Sequence, residues 1–269
     1  MFDFWKVQSD KLLFPEIAWA RPEQKSRAGK ILIVGGGSGS FRSLALAYDT
    51  AQKTGAGEVK ILAPDSLNKF LKIDELTDVV FAKSNHSGGF SAEAWDDFRA
   101  AEAWADAILF IGDTNKNSET AVLFEKFILF TDKPITITRD AVDILINSSH
   151  EILQKPNLTI IASFAQLQKI FSSVFYPKVL TFSLQLANFV EIIHKFTLTY
   201  PCLVAVFHAE NLIFAQNGEV VSSPASSKIA KFSPLSLWSG QTPTEVAVWQ
   251  MWSASKKLEA SITAVGRDL

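Results

Sequence analysis

Residues 30–34 (Lys30, Ile31, Leu32, Ile33, Val34) form a short β-branched run that stops at Gly35-Gly36-Gly37-Ser38-Gly39-Ser40. This pattern predicts a buried strand ended by a flexible turn. Residues 41–54 carry Leu44, Ala45, Ala47, Tyr48 and Ala51 at helical spacing, and Gly55-Ala56-Gly57 stops that helix. A second strand is predicted over 59–64. A strand, a glycine turn, a helix and a strand imply a parallel pair joined by a right-handed crossover. The alternation recurs, with strands predicted at 79–82, 107–111, 134–138 and 158–161. Helices are predicted at 92–105, at 118–130 with Ser118 as N-cap, at 141–146 and at 164–171. The fold expected is a three-layer α/β fold: a mainly parallel doubly wound sheet with helices on both faces. Ligands on such sheets bind outside the carboxyl ends of the strands.

The last third has a different rhythm. Strands are predicted at 203–207 and 212–215 around the turn Ala209-Glu210-Asn211. Gln216-Asn217-Gly218-Glu219 is a hairpin signal leading into Val220-Val221. One helix is expected from 244 to 260, with Thr242 or Thr244 as its N-cap. On it Trp249 and Trp252 lie three apart on one face, suited to core packing or to a partner interface. Residues 1–28 read as a polar lead-in dotted with aromatics. The length of 269 residues suits a single domain over 1–269.

Composition removes several function classes. Apolar residues make up 48% and charged residues 20%, with a net charge of -2. No strong field gathers nucleic acid or anionic lipid, so neither a nucleic-acid nor a membrane partner is expected. The one cysteine, Cys202, cannot form an intramolecular disulfide and sits in an apolar run as an inert core residue. No signal peptide and no membrane-length apolar run is evident, and the expected compartment is the cytoplasm. The four histidines, His86, His150, His194 and His208, show no ligand spacing, so no metal site is expected. Asn85-His86-Ser87-Gly88-Gly89 reads as a surface turn. The glycine turn is not a P-loop, since no Gly-Lys-Ser/Thr follows. It matches G-x-G-x-x-G only at Gly35 and Gly37. A tight turn without a ligand and a Rossmann-type dinucleotide site both remain open.

The longer context carries a family resemblance. Arg21, Lys25-Ser26-Arg27-Ala28-Gly29-Lys30, the strand to Gly35-Gly36, Ala45, Ala47 and Thr54-Gly55-Ala56-Gly57-Glu58-Val59 fall in sequence. Together they resemble the opening of the ADP/ATP-dependent NAD(P)H-hydrate dehydratases, members of the ribokinase-like superfamily. Residues 105–112 resemble the family's strand before its Gly-Pro-Gly-Leu-Gly loop. Residues 134–145 resemble its Asp-Ala-Asp segment. The resemblance covers about residues 21–171, and 200–260 only by topology. It implies a lyase that uses ADP or ATP with Mg to activate the hydroxyl of a hydrated nicotinamide. It implies substrate contacts at Ser43, Gly112 and Ser163, nucleotide contacts at Asn211 and Thr244, and a base at Glu245. The pocket would be built from Gly35, Gly36, Asp113 and Asp140.

Departures from the family pattern fall on its functional loops. Gly112-Asp113-Thr114-Asn115-Lys116 keeps only the first glycine of the strand-end loop. Thr138 replaces the first aspartate of the Asp-Ala-Asp segment, and Ser163 replaces a histidine. Phe207 stands where the family has a lysine, and His208 where it has a glycine. The anion-hole turn Gly-Thr-Gly-Asp fits Thr242-Pro243-Thr244-Glu245, in which Pro243 lacks a backbone donor. The expectation is a divergent member with degraded nucleotide and substrate sites, acting through binding, assembly or regulation. Such a role allows a small nucleotide ligand, a protein partner or a homo-oligomer. The alternatives are an active dehydratase or kinase rebuilt around Glu245, Asn211 and Asp140, and a Rossmann-type binder at Gly35–Gly39.

Overall fold

Ile31 and Ile33 face one side of the first central strand, and Leu32 and Val34 face the other; all four are fully buried. A strand covered on both faces needs a helical layer above and below, and the chain supplies both. The computed structural model describes residues 2–37, 40–69, 78–115 and 117–266. Ser38, Gly39 and Lys116 of the expected loops lie outside the described residues.

The elements run β1 Trp5–Val7, α1 Pro15–Ala18, β2 Lys30–Gly35, α2 Arg42–Thr54, β3 Glu58–Pro64, β4 Val79–Ala82, α3 Trp95–Trp104, β5 Ala107–Gly112 and α4 Ser118–Phe130. They continue with β6 Ile135–Thr138, α5 Asp140–Ile144, α6 Ser149–Ile152, β7 Leu158–Ala162, α7 Phe164–Ser173 and α8 Leu186–Thr199. The last are β8 Leu203–His208, β9 Asn211–Gln216, β10 Glu219–Pro224, α9 Pro234–Ser239, α10 Gln241–Trp252 and α11 Lys257–Ala264. Ten strands form one sheet in the order β1-β10-β9-β8-β7-β6-β5-β2-β3-β4. Every neighbouring pair from β8 to β4 is parallel, and β9 is antiparallel to both β8 and β10. The sheet is therefore mainly parallel, as the alternating pattern implied.

One layer packs Phe98 of α3, Phe124 and Phe127 of α4, and Phe189 of α8 against Leu32, Val34 and Phe110. Phe110 meets Phe124 edge-on, with centroids 4.5 Å apart. Each such buried ring contributes roughly 1.5–3 kcal/mol by leaving water. The other layer sets α2, α10 and α11 against Ile31, Ile33, Leu109 and Ile111 on one side and Phe214 and Val221 on the other.

Several elements differ from the pattern-based expectation. The lead-in is not apart from the sheet, since Trp5–Val7 pairs in parallel with β10 at its edge. Three residues are too few for a period to show. α8 was not anticipated. α4 is capped by Asn117, whose side chain accepts from Glu119 N, and not by Ser118. The single helix expected over 244–260 is two helices. α10 opens at Gln241 behind Gly240, which holds φ 93°, and the chain breaks near Ser253 before α11 begins. Thr242 and Thr244 thus lie inside the first turns of α10, not at its cap. Trp249 and Trp252 do pack together, with ring centroids 5.4 Å apart, and the Trp252 indole donates to Ala28 O. Asn85 Oδ1 accepts from Ser87 N and Gly89 N and closes the expected turn. Among the described residues, no helix is long and apolar enough to cross a membrane.

Candidate functional site

The sheet reverses its winding between β2 and β5, where a doubly wound fold leaves its crevice. The two strand ends touch there: Gly36 N donates to Gly112 O at 2.9 Å. Gly112 holds φ 85°, and a Cβ on it would run into the Asp140 carboxylate. Asp113 N donates to Asp140 Oδ1 at 2.8 Å. The structure thus brings Gly35, Gly36, Gly112, Asp113 and Asp140 together at the carboxyl end of the sheet.

At this reversal the chain's own side chains bond to one another. Asp113 accepts from Ser43 Oγ, from Ser40 Oγ at 2.9 Å and from Arg139 Nη2 at 2.7 Å. Burial pushes the Asp113 carboxyl up, but the Ser43 and Ser40 hydroxyls and the Arg139 guanidinium outweigh it. The net result is a carboxyl held below its ordinary range. Arg139 also donates from Nη1 to Trp238 O at 2.6 Å, tying the end of β6 to α9. Ser43 is therefore buried against Asp113 and committed to it.

Open space lies further along the sheet, at the ends of β6, β7 and β8. A cleft of about 610 Å³ is lined by Asp113, Arg139 and Asp140, and by the rings of Phe164, Phe207 and Trp238, of which Trp238 lies beside Arg139. Ser163 lines it as the N-cap of α7, in a capping box with Gln166. Gln166 Nε2 reaches across to Arg139 O and to Asp143, and Asp143 also pairs with Lys169 at 2.9 Å. Burial, and then the neighbouring Asp113 charge, raise the Asp140 carboxyl against the pull of two backbone N–H groups and of the Arg139 charge. His208 is buried beside the cleft wall, stacked on Phe164 and bonded to Leu184 O.

The residues expected on the nucleotide side are placed differently. Asn211 opens β9 and donates to Ala209 O; it does not line the cleft. Thr244 is fully buried, with its hydroxyl on Gly240 O. Glu245 lies one turn into α10, buried, with Lys231 Nζ at 3.4 Å. Burial raises its carboxyl, and Lys231 and Gln241 oppose that. None of the three faces the cleft. A turn that opens a helix toward phosphate must fall at Gly240–Gln241, two residues before the one the resemblance implied. That opening is covered beyond its first residue: Thr242 and Pro243 are buried, Gly240 N donates to Leu237 O, and the Thr242 hydroxyl meets Ser236 of α9, while Gln241 is exposed. Phe207 supplies an apolar ring where a lysine was implied. The residues present do not fit a magnesium–nucleotide at this turn. Among the described residues, no three His, Cys, Asp or Glu side chains are grouped to hold a metal ion.

No protein-family model matches the sequence, and no curated protein matches it. Solved structures do. One is a ribokinase-like superfamily protein of Enterococcus faecalis V583, at TM-score 0.69 and 11% identity, covering 98% of this chain and 86% of that one. Another is an ADP/ATP-dependent NAD(P)H-hydrate dehydratase of Bacillus subtilis, co-crystallised with ATP and Mg2+. It matches at TM-score 0.62 and 11% identity, over 96% of this chain and 87% of that one. The fold is ribokinase-like. The resemblance drawn from the glycine turn and the Gly-Ala-Gly segment therefore holds at the level of fold. At such identity the chemistry of this ribokinase-like chain rests on its own residues. Arg139, Gln166 and Trp238 organise the cleft and were not among the residues the sequence singled out for the site. Gln166 does carry a local signal, as the last residue of the Ser-x-x-Gln capping pattern that opens α7, but no local pattern marks Arg139 or Trp238, whose roles come from a backbone conformation and from contacts across the fold.

Proposed function

We propose that this is a ribokinase-like protein, related to the NAD(P)H-hydrate dehydratases, that acts by binding a ligand in the cleft and has lost nucleotide-driven chemistry. The observation that carries the reading is the covered turn at Thr242–Pro243 of α10. An anion hole needs free N–H groups facing the anion. Here Pro243 has no N–H, its neighbours Thr242 and Thr244 are buried with it, and the Thr242 hydroxyl meets Ser236 of α9. The missing lysine adds to this. Losing one charge-assisted contact costs roughly 1.5–3 kcal/mol. Two such losses weaken binding at least about a hundredfold, at about 1.4 kcal/mol per tenfold. A Rossmann-type dinucleotide site at Gly35–Gly37 is disfavoured as well, because the Asp113 carboxylate stands at that turn, bonded to Ser40 and Ser43, where a pyrophosphate would have to lie.

Thermal unfolding with and without millimolar ATP–Mg2+, together with turnover of hydrated NADH, tests the reading. No appreciable rise in Tm and no turnover are expected. A ligand at 100 times its Kd stabilises by about 2.7 kcal/mol, a shift of several degrees for a chain near this size. A saturable shift of that kind at sub-millimolar nucleotide, or turnover above background, moves the assignment to a working enzyme with a rebuilt site.

A further inference from the structure

We propose that the cleft takes a one- or two-ring aromatic compound carrying an amine and no phosphate. The inference rests on the binding reading above and names the ligand of the same cleft. Its charge comes first. Five charged side chains line the cleft, and two pairs among them are already made. Arg139 is bonded to Asp113, and Lys169 to Asp143. Asp140 is the remaining charge, and among the described residues no Lys or Arg forms an ion pair with it, although the Arg139 charge acts on it from beyond ion-pair distance. Its carboxylate takes the Asp113 N–H on Oδ1. A phosphate entering here would lose its water beside a carboxylate, while both cations stay committed elsewhere. An ammonium would instead meet an unpaired carboxylate in a partly buried setting, where charge-assisted bonds are strongest.

The apolar part of the lining sets the rest of the molecule. Phe207 and Leu237 present apolar surface, and Trp238 stands 73% exposed at the cleft's edge. The Arg139 guanidinium lies 5.7 Å from the Trp238 ring centroid. An exposed indole beside a concave, mostly apolar cleft is surface that a flat ring would cover. The volume of about 610 Å³ accommodates one or two rings with a short arm. Burial raises the Asp140 carboxyl, and a bound cation would offset that, so binding and ionisation of Asp140 reinforce each other.

Three probes that share the two-ring indole nucleus isolate the charge: tryptamine, 3-methylindole and indole-3-propionate. Calorimetric titration of the full chain is expected to rank them in that order, with at least a tenfold gap between the first and last. Asp140→Asn keeps an oxygen for the Asp113 N–H. It is expected to bring tryptamine down to the 3-methylindole level and to leave 3-methylindole unchanged. Circular dichroism confirms that the variant folds, and Lys169→Ala, which leaves Asp140 intact, serves as a second variant that should keep the ranking. Tighter binding of the propionate overturns the proposal. So does an unchanged tryptamine affinity in the variant, or no detectable binding of any probe at millimolar concentration. These outcomes remove the ligand class alone, since the binding reading falls instead on nucleotide stabilisation or turnover.

Discussion

Arg139 donates to Asp113 Oδ1 at 2.7 Å, and both partners hold positive φ, 58° and 59°. For Arg139, ψ is -142°, a combination that is almost exclusively glycine's. Conformations of this kind cost of order 1–3 kcal/mol each and persist only where the surroundings fix them. The surroundings here are the Trp238 carbonyl on Arg139 and the two serine hydroxyls on Asp113.

A double-mutant cycle measures how strongly the two are coupled. Asp113→Ala is expected to cost roughly 2–3 kcal/mol, because it strands a largely buried guanidinium. Arg139→Gly loses the ion pair but relieves the backbone, so its net cost is expected to be smaller. The double variant should fall short of the sum by about 1–2 kcal/mol in urea denaturation. Additivity within about 0.5 kcal/mol would show that the pair is not coupled.

Gly112→Ala tests the close approach at the strand ends. The new Cβ would meet the Asp140 carboxylate at a residue with φ 85°. The backbone term alone is about 1–2 kcal/mol, and the clash adds to it because Asp140 is held by Asp113 N. A loss above about 2 kcal/mol is expected in the denaturation midpoint. A loss below about 0.5 kcal/mol would mean that the two strand ends are not in contact as described.

The contrast between β2 and α10 shows what the sequence could reveal. Strands buried on both faces leave continuous apolar runs, so Ile31 to Val34 and Ala107 to Ile111 were legible at once. Gly55, with φ 111° after α2, ended its helix as glycine usually does. α8 carries Phe189, Val190, Ile193 and Phe196 at helical spacing, but Gln185 makes no side-chain cap and no start signal stands out. α10 opens behind a left-handed Gly240, which reads as an ending and not as a beginning. At the β2/β5 reversal, the glycines and aspartates at the strand ends followed from topology. The positive φ of Arg139, and the reach of its guanidinium to Trp238, 99 positions along the chain, come from tertiary packing that no local pattern encodes.

Lys257 predicts a pH dependence. Its amine is buried near Cys202 and donates to Leu158 O at 3.1 Å, and burial lowers its pKa to about 8. The folded value lies below the unfolded one, so the charged amine burdens the fold below pH 8. That burden is lifted as pH rises from 8 towards the ordinary lysine value of 10.5. Burial also raises Cys202 to about 12, which works against stability above the ordinary thiol pKa of 9.0. Comparing Lys257→Met with the parent chain separates the two effects. The variant is expected to be the more stable at pH 7, and its advantage should shrink by roughly 2 kcal/mol by pH 10, at about 1.36 kcal/mol per pKa unit. An advantage that does not change between pH 7 and 10 would show that the amine is not desolvated.

The last prediction separates a missing donor from a covered opening at α10. Pro243→Ala restores the backbone N–H that a phosphate-binding turn requires, at a cost of about 0.4–1 kcal/mol from the freer unfolded chain. If donor loss alone had abolished nucleotide binding, the variant would regain a saturable rise in Tm with ATP–Mg2+. The packing argues otherwise. Thr242 and Thr244 on either side of Pro243 are 1% and 0% exposed, and Ser236 of α9 lies on the Thr242 hydroxyl. A restored N–H would point into protein, so no rise in Tm is expected at millimolar nucleotide. A shift of several degrees in Pro243→Ala, absent from the parent chain, would show that α9 moves aside readily. It would place the loss of chemistry in one residue instead of in the closure of the turn.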